Sequence, residues 1–162
     1  FLVMPCITAH YYYPEIIKHI NIGFIHMIKE VANFIQTELP DIHNFGLLAT
    51  TGTIKTELFQ KEIANTNRHI IIPDPEQQKK VVDAVYRKKG IKAGFKEFPL
   101  EILSQIAQHL KKKGAQAIIA GCTEIALVIE NLDIDLPTIN PLHILASTSI
   151  QLAGYSLKQS KI

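Results

Sequence analysis

Short apolar runs alternate along this chain with longer segments whose apolar positions recur at helical spacing, which predicts βα units and a mainly parallel sheet. Phe1–Pro5 opens as a strand, and a helical stretch near Tyr12–His19 follows Cys6–His10, with Pro14 tolerated in its first turn. Asn21–Met27 reads as a short strand and Ile28–Leu39 as an amphipathic helix that Pro40-Asp41 stops. Phe45–Ala49 is a buried strand, followed by Thr50-Thr51-Gly52-Thr53 and a helix from about Lys55 to Ala64. His69–Ile72 is a third clear strand, closed by Pro73-Asp74-Pro75; the helix Glu76–Lys89 places Val81, Val82 and Val85 on one face. Gly90 and Gly94 bracket a turn holding Lys92, and a helix runs from Pro99 to about Lys113, where Gly114 ends it. Ala115–Ala120 is a further strand, leading through Gly121-Cys122-Thr123-Glu124 into a short helix that reaches Asn131. Pro137–Asn140 is the last strand and Pro141–Leu157 the closing helix.

Three strand ends pass at once into small polar residues: Pro5-Cys6-Ile7-Thr8-Ala9-His10, Ala49-Thr50-Thr51-Gly52-Thr53 and Gly121-Cys122-Thr123-Glu124. Open parallel sheets bind ligands beyond the carboxyl ends of their strands. Hydroxyl side chains and free backbone amides there suit an anion, a carboxylate or a phosphate alike. Gly52-Thr53-Ile54-Lys55-Thr56 lacks the spacing of a phosphate loop.

Composition narrows the classes. Hydrophobic residues make up 47% of the 162 positions, ample for a packed core. A net charge of +2 gives no footprint for nucleic acid, and Lys111-Lys112-Lys113 reads as the wet end of a helix. No apolar stretch approaches the ~18–20 residues of a membrane span, and no basic segment precedes an apolar one as in a signal peptide. Two cysteines without framework spacing suggest free thiols in a reducing compartment, the cytoplasm. His26, His43, His69, His109 and His143 show no metal-ligand spacing, and His10 is expected to satisfy local backbone.

Cys6 and Cys122 stand in matching contexts, each at a strand end and close to a threonine. A helix N-terminus beside a thiol lowers its pKa and favours the thiolate, so each is expected to be activated. Two such thiols across one pocket could remove a proton from a carbon and return one to its opposite face. The reacting sulfurs would then lie roughly 6–7 Å apart, each ~3–3.5 Å from that carbon and unbonded to each other. Either cysteine taken singly has a plainer reading as inert core packing.

The strings FLVMPCITAHYYY, GLLATTGTIKTELFQ, GIKAG and AIIAGCTEIALVI resemble the successive motifs of aspartate racemases and broad-specificity amino-acid racemases of the aspartate/glutamate racemase superfamily. They stand in the same order and cover essentially the whole chain. The resemblance implies Cys6 and Cys122 as a catalytic pair, with Thr8 and Thr123 on the substrate's α-carboxylate or α-amino group. It implies Thr51 and Thr53 along the pocket, Lys92 on a substrate carboxylate, and Glu124 either capping its helix or touching substrate. No cofactor is implied; the expected partners are a free amino acid, aspartate foremost, and a second copy in a homodimer.

Two departures qualify this. Ile7 occupies a substrate-contact position where the family usually has asparagine. Family members also carry a glycine-rich strand end and further βα units before the first cysteine motif, so sequence upstream of Phe1 is expected to be missing. The implied fold is α/β, with two Rossmann-like lobes of mainly parallel sheet flanked by helices and the first lobe incomplete. Residues 1–40 and 141–162 would be the remainder of that lobe and 41–140 the second, with the site in the cleft between. A related activity on another acid (hydantoin racemase, maleate isomerase or decarboxylase) remains open. So does a non-catalytic or truncated member that only binds a small carboxylate or a partner subunit.

Overall fold

A computed structural model of the 162-residue chain describes residues 1–157. The last five positions of the expected 141–162 segment lie outside the described residues. The fold is α/β, with two parallel sheets flanked by helices. Strands β1 (Leu2–Val3) and β2 (Phe24–Ile25) form a two-stranded sheet. β3 (Asn44–Ala49), β4 (His69–Ile71), β5 (Ala117–Gly121) and β6 (Thr138–Ile139) form a second one in the order β4-β3-β5-β6.

The unbroken apolar runs of β3 and β5 follow from their central place, since both faces of the sheet are covered. Leu48, Ile118 and Ala120 point to one face, against Val81, Ala84 and Val85 of α5 (Pro75–Tyr86) and Leu103, Ile106 and Leu110 of α6 (Glu97–Lys112). Phe45, Leu47, Ala49 and Ile119 point to the other, against Met27, Ile28, Val31 and Ile35 of α2 (Met27–Glu38) and Leu145 of α8 (Pro141–Leu152). The period-two alternation of a strand thus builds two apolar layers from one run. Helices α2 and α8, assigned by sequence to the first lobe, share the core of the four-stranded sheet because their apolar stripes bury against it.

Several boundaries depart from expectation. The stretch near Tyr12–His19 is a chain of tight turns: a 3-10 segment Thr8–Tyr12, one helical turn α1 (Tyr13–Ile16) and a second 3-10 segment Ile17–His19. The helix expected from Lys55 begins at Thr51, directly off β3, and breaks at Glu57 into α3 (Thr51–Thr56) and α4 (Leu58–Ile63). Glu57 sits in the left-handed region (φ 55°), which no continuous helix can accommodate. α5 ends at Tyr86, three residues before its expected limit at Lys89, because Arg87 turns extended (φ −66°, ψ 167°). α8 stops at Leu152, short of Leu157.

No helix among the described residues is long and apolar enough to cross a membrane. Among them, no cluster of three or more His, Cys, Asp or Glu side chains could hold a metal ion.

Candidate active site

The three polar strand ends converge. The hydroxyls of Thr8, after β1, and Thr53, in the first turn of α3, are hydrogen-bonded at 2.8 Å. Gly52 permits this approach, since a Cβ there would press on Thr8 Cγ2 at 3.1 Å. From the end of β5, Thr123 Oγ1 donates to the carbonyl of Pro5 at 3.2 Å. The residue after one cysteine is therefore tied to the residue before the other. Both cysteines are free thiols; Cys6 is exposed and Cys122 is buried.

Cys122 is the extended residue that precedes the short helix α7 (Thr123–Ala126), and its S–H donates to Glu124 Oε2 at 2.8 Å. Glu124 Oε1 lies 3.7 Å from Lys92 Nζ, which in turn stands 5.2 Å over the ring of Tyr86. A line of contacts thus runs from thiol to carboxylate to ammonium to phenol.

The electrostatics overturn the expectation that both thiols are activated by a helix N-terminus. Burial and the adjacent Glu124 carboxylate push the Cys122 pKa up to about 12. The backbone amides of Glu124 and Ile125 pull it down and are outweighed; a helix of four residues offers only its first-turn amides. Burial also acts to raise Glu124, but the Cys122 S–H, its own backbone amide and Lys92 together hold it below the usual carboxylate range. The two shifts agree: the shared proton belongs to sulfur.

Tyr86 was not anticipated from sequence. Its phenol is raised first by burial and further by its electrostatic coupling to Cys122 and the Glu124 carboxylate, with Lys92 opposing and Cys6 adding to the rise. Both thiols are therefore within electrostatic reach of this one hydroxyl, although the side chain is 54% exposed. The only local signal was a tyrosine four residues before the Gly90–Gly94 turn.

The other candidates divide. Lys92 and Thr51 are exposed and Thr123 half-buried, while Thr53 is fully buried and reaches the site only through Thr8. Ile7, expected to touch substrate, is 1% exposed and packed among the residues of the lower core, so its side chain supports the fold. His10 is buried, with Nδ1 3.0 Å from the Cys6 carbonyl and Nε2 accepting from Met27 N–H at 3.2 Å. It satisfies backbone groups, as expected. Cavities of about 320 Å³ (His10, Tyr13, His26, Lys29, Lys61) and 550 Å³ (Lys89, Phe95, Lys96, Phe98) include neither cysteine. Cys6 and Tyr86 meet solvent on an open face.

The chain belongs to the Asp/Glu/Hydantoin racemase family, whose model matches residues 1–148. It is 25% identical over 153 residues to the broad-specificity amino-acid racemase RacX of Bacillus subtilis, covering 93% of this chain and 63% of that protein. Among solved structures, an aspartate racemase of Picrophilus torridus superposes with a TM-score of 0.82 at 24% identity, covering 97% of this chain and 63% of the other. A glutamate racemase, isoform RacE1 of Bacillus anthracis, gives 0.66 at 20% identity, over 94% and 58% respectively. The chain thus spans less than two thirds of the length of these relatives.

Proposed function

Starting from that family membership, we propose that this chain carries cofactor-independent racemisation of a free amino acid, aspartate foremost, between the thiols of Cys6 and Cys122. The observation that carries the reading is the Thr123–Pro5 hydrogen bond, which binds the two cysteine-bearing turns into one site.

The Cys6 sulfur, as thiolate, removes the Cα proton of the enantiomer that presents it. Cys122 delivers its S–H proton to the opposite face of the carbanion, leaving Cys6 as thiol and Cys122 as thiolate. The reverse direction starts from that same state, with Cys122 as the base and Cys6 as the acid; the resting enzyme reaches it when Cys122 passes its proton to Glu124, at 2.8 Å, and the Cys6 thiolate takes one from solvent. Charge developing on the α-carboxylate meets the hydroxyls of Thr8 and Thr51 and backbone amides of the strand-end turns. Lys92 takes the substrate's distal carboxylate. Drawing Lys92 away from Glu124 raises that carboxylate's basicity, so substrate binding itself prepares Glu124 to accept the Cys122 proton. In this reading the substrate lies over the open face where the turn after β1 meets the turn after β5.

We place the protein in the cytoplasm as a homodimer. The exposed apolar side chains Phe1, Val3 and Ile22 beside β1 and β2 offer surface for a second copy.

A second reading is a member that binds a small carboxylate without turnover; the proton held firmly on Cys122 favours it. Chiral analysis of L-aspartate incubated with the chain, its Cys6→Ser and its Cys122→Ser variants separates the two. Formation of D-aspartate that needs both thiols supports the racemase. Saturable aspartate binding without any D-isomer supports the binding protein.

A further inference from the structure

We propose that His10 is a positioning residue for Cys6, acting through the Cys6 backbone; this rests on the two-thiol reading above. Its imidazole bridges two main-chain groups, the Cys6 carbonyl at 3.0 Å and the Met27 amide at 3.2 Å. The chemistry of those partners fixes the tautomer. An amide N–H can only donate, so Nε2 is the acceptor; Nδ1 therefore carries the proton and donates to the carbonyl. The ring is 2% exposed and stacks edgewise on His26 at 4.7 Å and Phe24 at 5.9 Å, so it has little freedom to turn.

The Met27 end of this bridge is rigid. Met27, Ile28, Val31 and Ile35 are at most 1% exposed, and α2 is seated on the sheet whose strand β5 ends at Gly121, directly before Cys122. The Cys6 end is not rigid by itself. β1 has two residues, and Cys6 is exposed beyond it. Two carbonyls flank the Cys6 Cα, and each is held: that of Pro5 by Thr123 Oγ1, that of Cys6 by His10 Nδ1. The first bond ties Cys6 to the Cys122 turn, and the second ties it to the core beneath both. Among the described residues the imidazole bonds the Cys6 carbonyl and the Met27 amide rather than a thiol, so its effect is on where the Cys6 sulfur stands.

A thiol out of place leaves a distinctive trace. The remaining thiol, Cys122, can still take a Cα proton, exchange it with solvent and return a deuteron to the same face. Exchange with retention then survives while inversion is lost. The test compares His10→Asn, whose amide N–H stands where Nδ1–H stood, with His10→Gln, whose amide oxygen takes the place of Nε2, and with His10→Phe. Expected is inversion of aspartate within about threefold of the parent for His10→Asn. A loss of about tenfold or more is expected for the Gln and Phe variants, with exchange of one enantiomer retained. A second readout needs no turnover: iodoacetamide alkylation of Cys6 in the Cys122→Ser background, where Gln and Phe should change the rate several-fold and Asn should not. If Phe fails to fold, the Asn–Gln contrast still decides. Equal inversion and equal alkylation for Asn and Gln would overturn the positioning role. A parent chain that inverts nothing sinks the racemase reading instead, and the alkylation contrast still judges His10.

Discussion

The sulfur of Cys122 donates its proton to a carboxylate oxygen of Glu124 only 2.8 Å away, two residues on in the same turn. That bond fixes the resting protonation of the site. It also makes Glu124 the group through which the second thiol must be switched on.

Glu124→Gln removes the negative charge that helps hold Cys122 near 12. A thiolate absorbance titration is expected to show the Cys122 midpoint moving down, with racemisation slowed about a hundredfold for want of a proton acceptor. A midpoint that stays in place would mean that burial alone sets the value.

Lys92, 60% exposed and 3.7 Å from Glu124, is free to turn to a substrate carboxylate. Lys92→Met is expected to raise KM for aspartate about tenfold or more and to leave KM for alanine within about twofold. Equal losses on both substrates would place Lys92 on the common α-carboxylate or in the fold alone.

Much of the scaffold was legible because its causes are local. Phe45–Ala49 and Ala117–Ala120 declare themselves as central strands by unbroken apolar runs, since both faces are covered. Val81 and Val85 declare a helix face in the same way. The break at Glu57 left no mark, because a left-handed turn at a non-glycine residue is imposed by packing rather than by residue type. Tyr86 was missed for a related reason: only the long-range packing that sets its ring under Lys92, whose ammonium reaches Glu124, brings it to the site. The state of Cys122 ran against the local rule. A position before a helix predicts a lowered pKa, but burial and a carboxylate two residues later are stronger than a four-residue helix. The burial of Ile7 and Thr53 was not legible, because it depends on the turn geometry after each strand end.

Gly121 sits where β5 meets β3, and a Cβ there would stand 2.5 Å from Ala49 Cβ and 2.7 Å from Leu47 Cδ1. Gly121→Ala is expected to cost about 1–3 kcal/mol in urea unfolding, since neither neighbour can yield freely in a fully buried strand. Because the next residue is Cys122, activity should fall in the folded protein as well. Parent-like stability would show that the sheet opens here more easily than its packing implies.

His26 accepts from the Lys29 amide at the start of α2, and burial, with electrostatic coupling to His10 and the Lys29 ammonium, lowers its pKa to about 4. The unfolded chain, with an ordinary histidine value near 6.5, binds more protons between these limits. Stability is therefore complete above about pH 6.5 and lost as pH falls toward about 4, by on the order of 2–3 kcal/mol after screening. His10, also lowered by burial, contributes with the same sign. His26→Asn keeps an N-cap acceptor without a titrating ring, so its urea midpoint should depend less steeply on pH over this window. An unchanged slope would assign the acid sensitivity to other groups, with His10 the next to test.

The central claim is that two thiols on two strand ends work on one Cα. Its most direct test is loss of the Cα–H proton signal of free L- and D-amino acids in D2O, followed by NMR with no added cofactor. The parent chain is to be run beside Cys6→Ser and Cys122→Ser. The account predicts exchange of both aspartate enantiomers by the parent, and loss of inversion in each variant. Full inversion by either single variant, or no exchange of any amino acid by the folded parent, would contradict it.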